Sequence, residues 1–232
     1  MRRTIAIGDI HGCRQPLAEL LTKIAPDPEQ DTIIILGDLI NRGPDSKGTV
    51  ALLLELREEL RHLIILRGNH EQMLLDFLAG GNRDLFLRAG GLECLESYGI
   101  DPFHHDSAAL LPAAHLDLLS DLPSSFENEH GIFVHAGLEP GKHLSLQSPE
   151  WLLWARDEFI NSDHDFGKPV IFGHTPFAKP LFRPNKIGID TGAVYGGSLT
   201  ALILPEMELI SVATQPMWPR PFPKDSPVDL AP

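Results

Sequence analysis

TIIILGDLINRGP, residues 32–44, is an apolar, Ile-rich run that stops on Gly37 and Asp38 and continues into a loop carrying Asn41 and Arg42. The run is too short for a typical helix and reads as a buried strand. A buried strand that ends on a carboxylate poses a question: what does Asp38 hold?

Similar runs recur along the 232-residue chain: RTIAI (3–7), LIIL (63–66), GIFV (131–134), PVIF (169–172) and KIGI (186–189). Between the first three lie two stretches, 15–24 and 46–60, with Leu at helical spacing. A β-α-β-α-β start implies a parallel sheet with right-handed crossovers. From 71 to 122 the pattern turns helical without strands, a cap or insertion within the domain. Residues 199–212 read as a hairpin turning at PEME. The expectation is an α/β domain over 1–213 with a mostly parallel early sheet and a later, partly antiparallel one, packed together and flanked by helices. A Pro-rich tail, 214–232, follows. Trp218 and Phe222 could serve a docking partner there, but an arm lying on its own domain is the plainer reading.

Composition narrows the function. The net charge is −13, against a duplex nucleic-acid partner, since phosphate-backbone binding needs a basic face. An anionic small substrate stays open, because bound cations reverse the sign locally. Hydrophobic residues make up 43%, enough for a sizeable core, yet no run approaches the roughly 20 apolar residues of a bilayer span. No apolar leader is read at the N-terminus, and two cysteines, Cys13 and Cys94, form no disulfide framework; a cytoplasmic location is expected.

The strand ends carry the chemistry. They run into GDIHG, GDLINRGP, RGNHE, HAG, GHT and DTG. In open α/β sheets, ligand sites lie beyond the carboxyl ends of strands. One Gly-flanked Asp or His turn is usually structural; six in register point to a shared site. Asp9, His11, Asp38, Asn69, His70, His135 and His174 supply carboxylates, imidazoles and an amide without a thiolate. Such donors suit manganese, iron or zinc. They exceed what one tetrahedral zinc uses, so two metals sharing one carboxylate is the economical arrangement.

In this order, GDIHG, GDLINRGP, GNHE, HAG and GHT resemble the phosphoprotein phosphatase family of binuclear metallophosphoesterases, in particular its small bacterial and phage members. The likeness runs from Gly8 to about Gly197. It implies a metallophosphoesterase-like four-layer αββα sandwich of two mixed sheets with a helical insertion. It further implies that Asp9 and His11 hold one metal, that Asp38 bridges, and that Asn69, His135 and His174 hold the second, with manganese the first expectation. A bridging hydroxide would attack phosphorus. Arg42 and Arg156 would grip the phosphate, and His70 would give a proton to the leaving oxygen.

Asn41 departs from that pattern, for the family phosphatases mostly carry Asp there, paired with the histidine matching His70. An amide can orient the ring but cannot stabilise imidazolium. Serine and threonine alkoxides need the proton; phosphoanhydrides and phenolates need it less. Relatives that cleave diadenosine tetraphosphate symmetrically also lack the Asp, yet they usually read GNHD where this chain reads GNHE. The leading expectation is therefore a serine/threonine phosphatase, with phosphotyrosine as a further substrate. The alternative is a hydrolase of dinucleoside tetraphosphates or other nucleotides.

Other candidates read as structural. Asp190 is expected to hold a turn or to orient a histidine rather than a metal, Trp151 and Trp154 to sit in the core, and Tyr195 could face the cleft. His62, His115, His130, His143 and His164 have no strand-end context; His104 and His105 fall in the helical region that could border the site.

Overall fold

The computed structural model describes residues 2–103 and 110–219, so His104, His105 and Phe222 lie outside the described residues. The elements run β1 (Thr4–Ile7), α1 (Arg14–Ile24), β2 (Thr32–Ile35), α2 (Ser46–Glu59), β3 (Leu63–Ile65) and α3 (Asn69–Leu78). Helices α4 (Arg83–Phe86), α5 (Leu92–Tyr98) and α6 (Ala113–Ser120) follow, with a kinked turn, Leu87–Gly91, between the first two. Then come β4 (Ser125–Glu127), β5 (Ile132–Val134), α7 (Pro149–Trp154), α8 (Asp157–Ile160), β6 (Val170–Phe172), β7 (Leu181–Arg183), β8 (Lys186–Gly188), β9 (Ser198–Leu204) and β10 (Glu208–Ala213). Among the described residues no helix is long and apolar enough to cross a membrane.

The strands form two mixed sheets, ordered β10-β9-β1-β2-β3 and β4-β5-β6-β8-β7. Strands β1, β2 and β3 are parallel, as the β-α-β-α-β pattern requires. The hairpin corrects one expectation. It does not extend the later sheet but returns to the first, where β9 lies antiparallel to β1. Strands β4 and β7 were not foreseen. Each is a three-residue edge strand with partly exposed side chains, too short to show a periodicity.

Strand alternation sorts the core into layers. Ile5, Ile7, Ile33 and Ile35 face α1 and α2, meeting Leu17, Leu20, Val50 and Leu53. Ala6 and Ile34 point the other way, to Phe133, Ile171 and Ile187 of the second sheet. On the far side, Val134, Val170 and Phe172 pack on Leu152, Leu153 and Phe159. Helix, sheet, sheet and helix thus stack in four layers. From the helical stretch 71–122, Phe77, Phe86, Leu95 and Leu118 join the core of the first sheet. The segment after β10 packs on its own domain: Met217 and Trp218 donate their backbone N–H groups to Val194 O at 2.9 and 3.0 Å, and Pro216 bridges to Tyr195.

Candidate metal and phosphate site

The turns beyond β1, β2, β5 and β6 and the start of α3 meet at one edge of the two sheets. They are strained in a consistent way. Of seven non-glycine residues with positive φ among the described residues, five belong to this edge: His11, Asp38, Asn41, Arg42 and His174. Such backbone is costly for L-residues and clusters at functional sites. The turns also lace together. Asp38 O accepts the N–H groups of Ile10 and His11 at 3.1 and 2.8 Å, and Leu39 O accepts that of Gly12 at 2.8 Å.

The side chains then converge on Asp38. Two groups of buried donors form, His11–Asp38–His70 and Asp38–His135–His174, and Asp38 is in both. His135 Nδ1 donates to Leu36 O at 2.8 Å and His11 Nδ1 to Ile40 O at 3.0 Å. Each bond places the ring proton on Nδ1 and leaves an Nε2 lone pair aimed into the site. His135 Nε2 faces Asn69 Oδ1 at 2.9 Å, Asp38 Oδ1 at 3.4 Å and His174 Nδ1 at 3.2 Å; His174 Nδ1 lies 2.9 Å from the same Asn69 oxygen. His11 Nε2 lies 3.4 Å from Asp38 Oδ2. Acceptors at such separations repel one another unless a cation lies between them. A cation about 2.1 Å from two ligands at a right angle holds those ligands about 3 Å apart. Asn69, His135, His174 and Asp38 fit that requirement.

Asp9 stands beside these groups rather than within either. Both its oxygens accept the N–H of His174, at 3.1 and 3.0 Å. Gly173 makes room for it, since a Cβ there would stand 2.1 Å from Asp9 Oδ1.

Electrostatics agrees with a cation-binding edge. Burial pushes Asp38 and Asp190 up to about 6, and Asp9 well above the carboxylate range, where the charges of Asp190 and Asp38 add to burial. Glu71 is pushed up to about 7 by burial and then by Asp38. Burial lowers His135 to about 4 and holds His11, His70 and His174 well below the imidazole range; Arg42 adds to the effect at His11 and His70. Neutral imidazoles beside crowded carboxylates are what a divalent ion uses.

Two arginines face the same edge. Arg42 Nη1 donates to His11 Nε2 at 2.7 Å, and its guanidinium carbon lies 5.5 Å from the centroid of Tyr195, a buried ring that borders the site. Arg156 Nη1 donates to Thr175 Oγ1 at 3.5 Å, and its charge acts on Asp38, His135 and His174. Asn41 is fully buried, and its Nδ2 donates to His70 Nδ1 at 2.9 Å. His70 Nε2 lies 3.9 Å from Asp38 Oδ2. Asp190 holds a turn, accepting Gly192 N–H at 2.9 Å.

Sequence reasoning missed two residues. Glu71 accepts the backbone N–H groups of Gly68, Asp38 and Leu39 at 2.8, 2.9 and 2.8 Å, tying the start of α3 to the Asp38 turn. Glu71 directly follows His70 and is fully buried, and that burial is invisible in the letters. Trp154 is 37% exposed rather than core, and its ring lies edge-on to His174, with centroids 6.2 Å apart. Trp151 is partly buried against the second-sheet core.

Residues 2–199 match the calcineurin-like phosphoesterase family. The serine/threonine-protein phosphatase 1 of Salmonella typhimurium is 34% identical over 209 residues, covering 86% of this chain and 90% of the relative. The asymmetrical bis(5'-nucleosyl)-tetraphosphatase PrpE of Bacillus cereus strain Q1 is 30% identical over 244 residues, covering 93% and 96%. A crystal structure described as a candidate diadenosine tetraphosphatase superposes with a TM-score of 0.71 at 29% identity, covering 91% of this chain and 93% of that one.

Proposed function

Because the chain belongs to the calcineurin-like phosphoesterase family, we propose that it is a metal-dependent phosphoester hydrolase that favours leaving groups able to depart without a proton, dinucleoside tetraphosphates first among them. The observation that carries this reading is the buried amide of Asn41 against His70. The amide orients the His70 ring but supplies no negative charge to stabilise imidazolium, so His70 hydrogen-bonds a leaving oxygen more readily than it protonates one. A carboxylate at position 41 would favour imidazolium, a true acid. The 30% identity to PrpE supports the same substrate class.

Roles follow. Asp9 and His11 would hold one cation, Asn69, His135 and His174 the other, and Asp38 would be shared, with manganese the best match to these donors and iron or zinc next. When bound, the cation pair supplies Lewis acidity that makes water a nucleophile near neutral pH. Arg42 and Arg156 orient the phosphoryl oxygens through planar forks and stabilise charge that grows on them. His70 hydrogen-bonds the leaving oxygen. Two buried free cysteines are consistent with a reducing, cytoplasmic setting.

A second reading is a serine/threonine protein phosphatase, with phosphotyrosine also accepted; the 34% identity to the Salmonella enzyme favours it. The deciding measurement is kcat/KM for diadenosine tetraphosphate, a phosphoserine peptide and a phosphotyrosine peptide with manganese present. The first reading expects the tetraphosphate highest and phosphoserine lowest. A phosphoserine peptide as good as the tetraphosphate would sink it. Asn41→Asp should raise kcat/KM for phosphoserine by about tenfold, within the usual yield of general acid catalysis, and extend its basic limb to higher pH.

A further inference from the structure

The helical stretch 71–122 reaches the phosphate grip at one turn. Leu87–Gly91 is a kink where two helices meet. Within it Gly90 has φ +98°, and its carbonyl accepts the backbone N–H of Arg42 at 3.0 Å. A Cβ on Gly90 would stand 2.5 Å from Arg42 N and 2.6 Å from Arg42 Cγ. No side chain fits between the two segments without displacing one. The turn has no room to retreat, because a Cβ on the next residue, Gly91, would stand 2.6 Å from the ring of Phe86, itself buried in the core.

Arg42 is held on other sides as well. Its own φ is +68°, and its guanidinium lies over Tyr195. The Gly90 carbonyl is the backbone anchor from which that side chain reaches out.

We propose that Gly90 is a positioning residue for the phosphate grip: its carbonyl and its missing side chain fix the left-handed backbone of Arg42 and so the place of the guanidinium. The proposal rests on the reading that Arg42 holds the phosphoryl group. A misplacement of about 1 Å is worth up to about a hundredfold in such systems. Gly90 thereby couples the packing of the helical stretch to substrate affinity without touching a metal donor.

The test uses the full chain loaded with manganese. Binding of inorganic phosphate is read by calorimetry, and KM and kcat with p-nitrophenyl phosphate. Gly90→Ala should weaken phosphate binding at least about tenfold and raise KM more than it lowers kcat. Gly80→Ala is the control for left-handed strain alone: Gly80 has φ +85° with nothing within 4 Å of an added Cβ, and phosphate binding should not change. In an Arg42→Ala background, Gly90→Ala should add no further loss. If Gly90→Ala does not fold, Phe86→Leu frees the turn from behind and should weaken phosphate binding a few-fold, again not beyond Arg42→Ala. Unchanged phosphate binding in a folded Gly90→Ala or Phe86→Leu chain, or an equal added loss without Arg42, overturns the clamp alone. Unchanged binding in Arg42→Ala overturns the grip itself, and the clamp with it.

Discussion

The carboxylate side of the site and its imidazole side are built differently. Asp38 and Asn69 hang from the first sheet, where the turns hold each other: Glu71 gathers four backbone N–H groups, and Asp38 O fastens the turn beyond β1. His135 and His174 come from the second sheet, yet lean on the first. His135 donates to Leu36 O, and the His174 N–H donates to Asp9. One side supports itself; the other borrows its support. The carboxylate side should therefore form the site's foundation, and damage there should reach both cations.

Asp38→Asn should test this most severely. Activity should fall by about a thousandfold, the scale of several kcal/mol of lost charge stabilisation, and bound manganese, by elemental analysis, should fall toward zero per chain. His135→Asn should leave one manganese per chain; if it empties both positions, the asymmetry is wrong. Glu71→Gln comes next. An amide cannot accept as a carboxylate does at both oxygens, so metal affinity or activity should drop about 10–100-fold, as for other groups that orient ligands. Loss of that size from a residue that touches no substrate, in titrations with manganese, would confirm where the foundation lies.

Acidity gives a smaller, graded effect. Without metal, Asp38 lies near 6 and Glu71 near 7, both raised by burial, so protons occupy the carboxylate side below those values. A cation must displace them, so manganese affinity should weaken as pH falls from 8 to 5. Calorimetry in buffers of different ionisation enthalpy should detect protons released on binding near pH 6; an affinity flat across that range would refute the assignment. The mildest change is expected at Lys186, a fully buried lysine on β8. Its Nζ donates to Phe159 O and Ser162 O, both at 2.5 Å, and so holds α8, which begins directly after Arg156. Lys186→Met should raise KM about threefold, and the size of that rise measures how much Arg156 depends on a fixed helix.

Much of this edge was legible because glycine and charge interrupt otherwise apolar strands. TIIILGD could not hide Asp38, nor PVIFGH His174. His11, Asp38, His70, His135 and His174 lie together because parallel strands bring their carboxyl ends to one side. What stayed hidden depends on distances. Glu71 looked like one letter of a motif, while its work is done on the backbone of residues more than thirty positions earlier. The return of the hairpin to β1 was not written in LTALILPEMELISV, which fits either sheet. Trp154 at helical spacing from Trp151 suggested core, but α7 has six residues and ends beside the site. Edge strands of three residues carry no periodic signal at all.

The layer between the sheets, where Ala6 and Ile34 meet Phe133 and Ile171, carries a further consequence. Metal donors above it come from both sheets, so this seam sets the spacing across the site as a hinge pin sets two leaves. Trimming a methyl group there, far from any reacting atom, would register as a defect in turnover before it registered as unfolding. The outer helical faces bear no such duty, and lineages of this enzyme have freer scope to vary them.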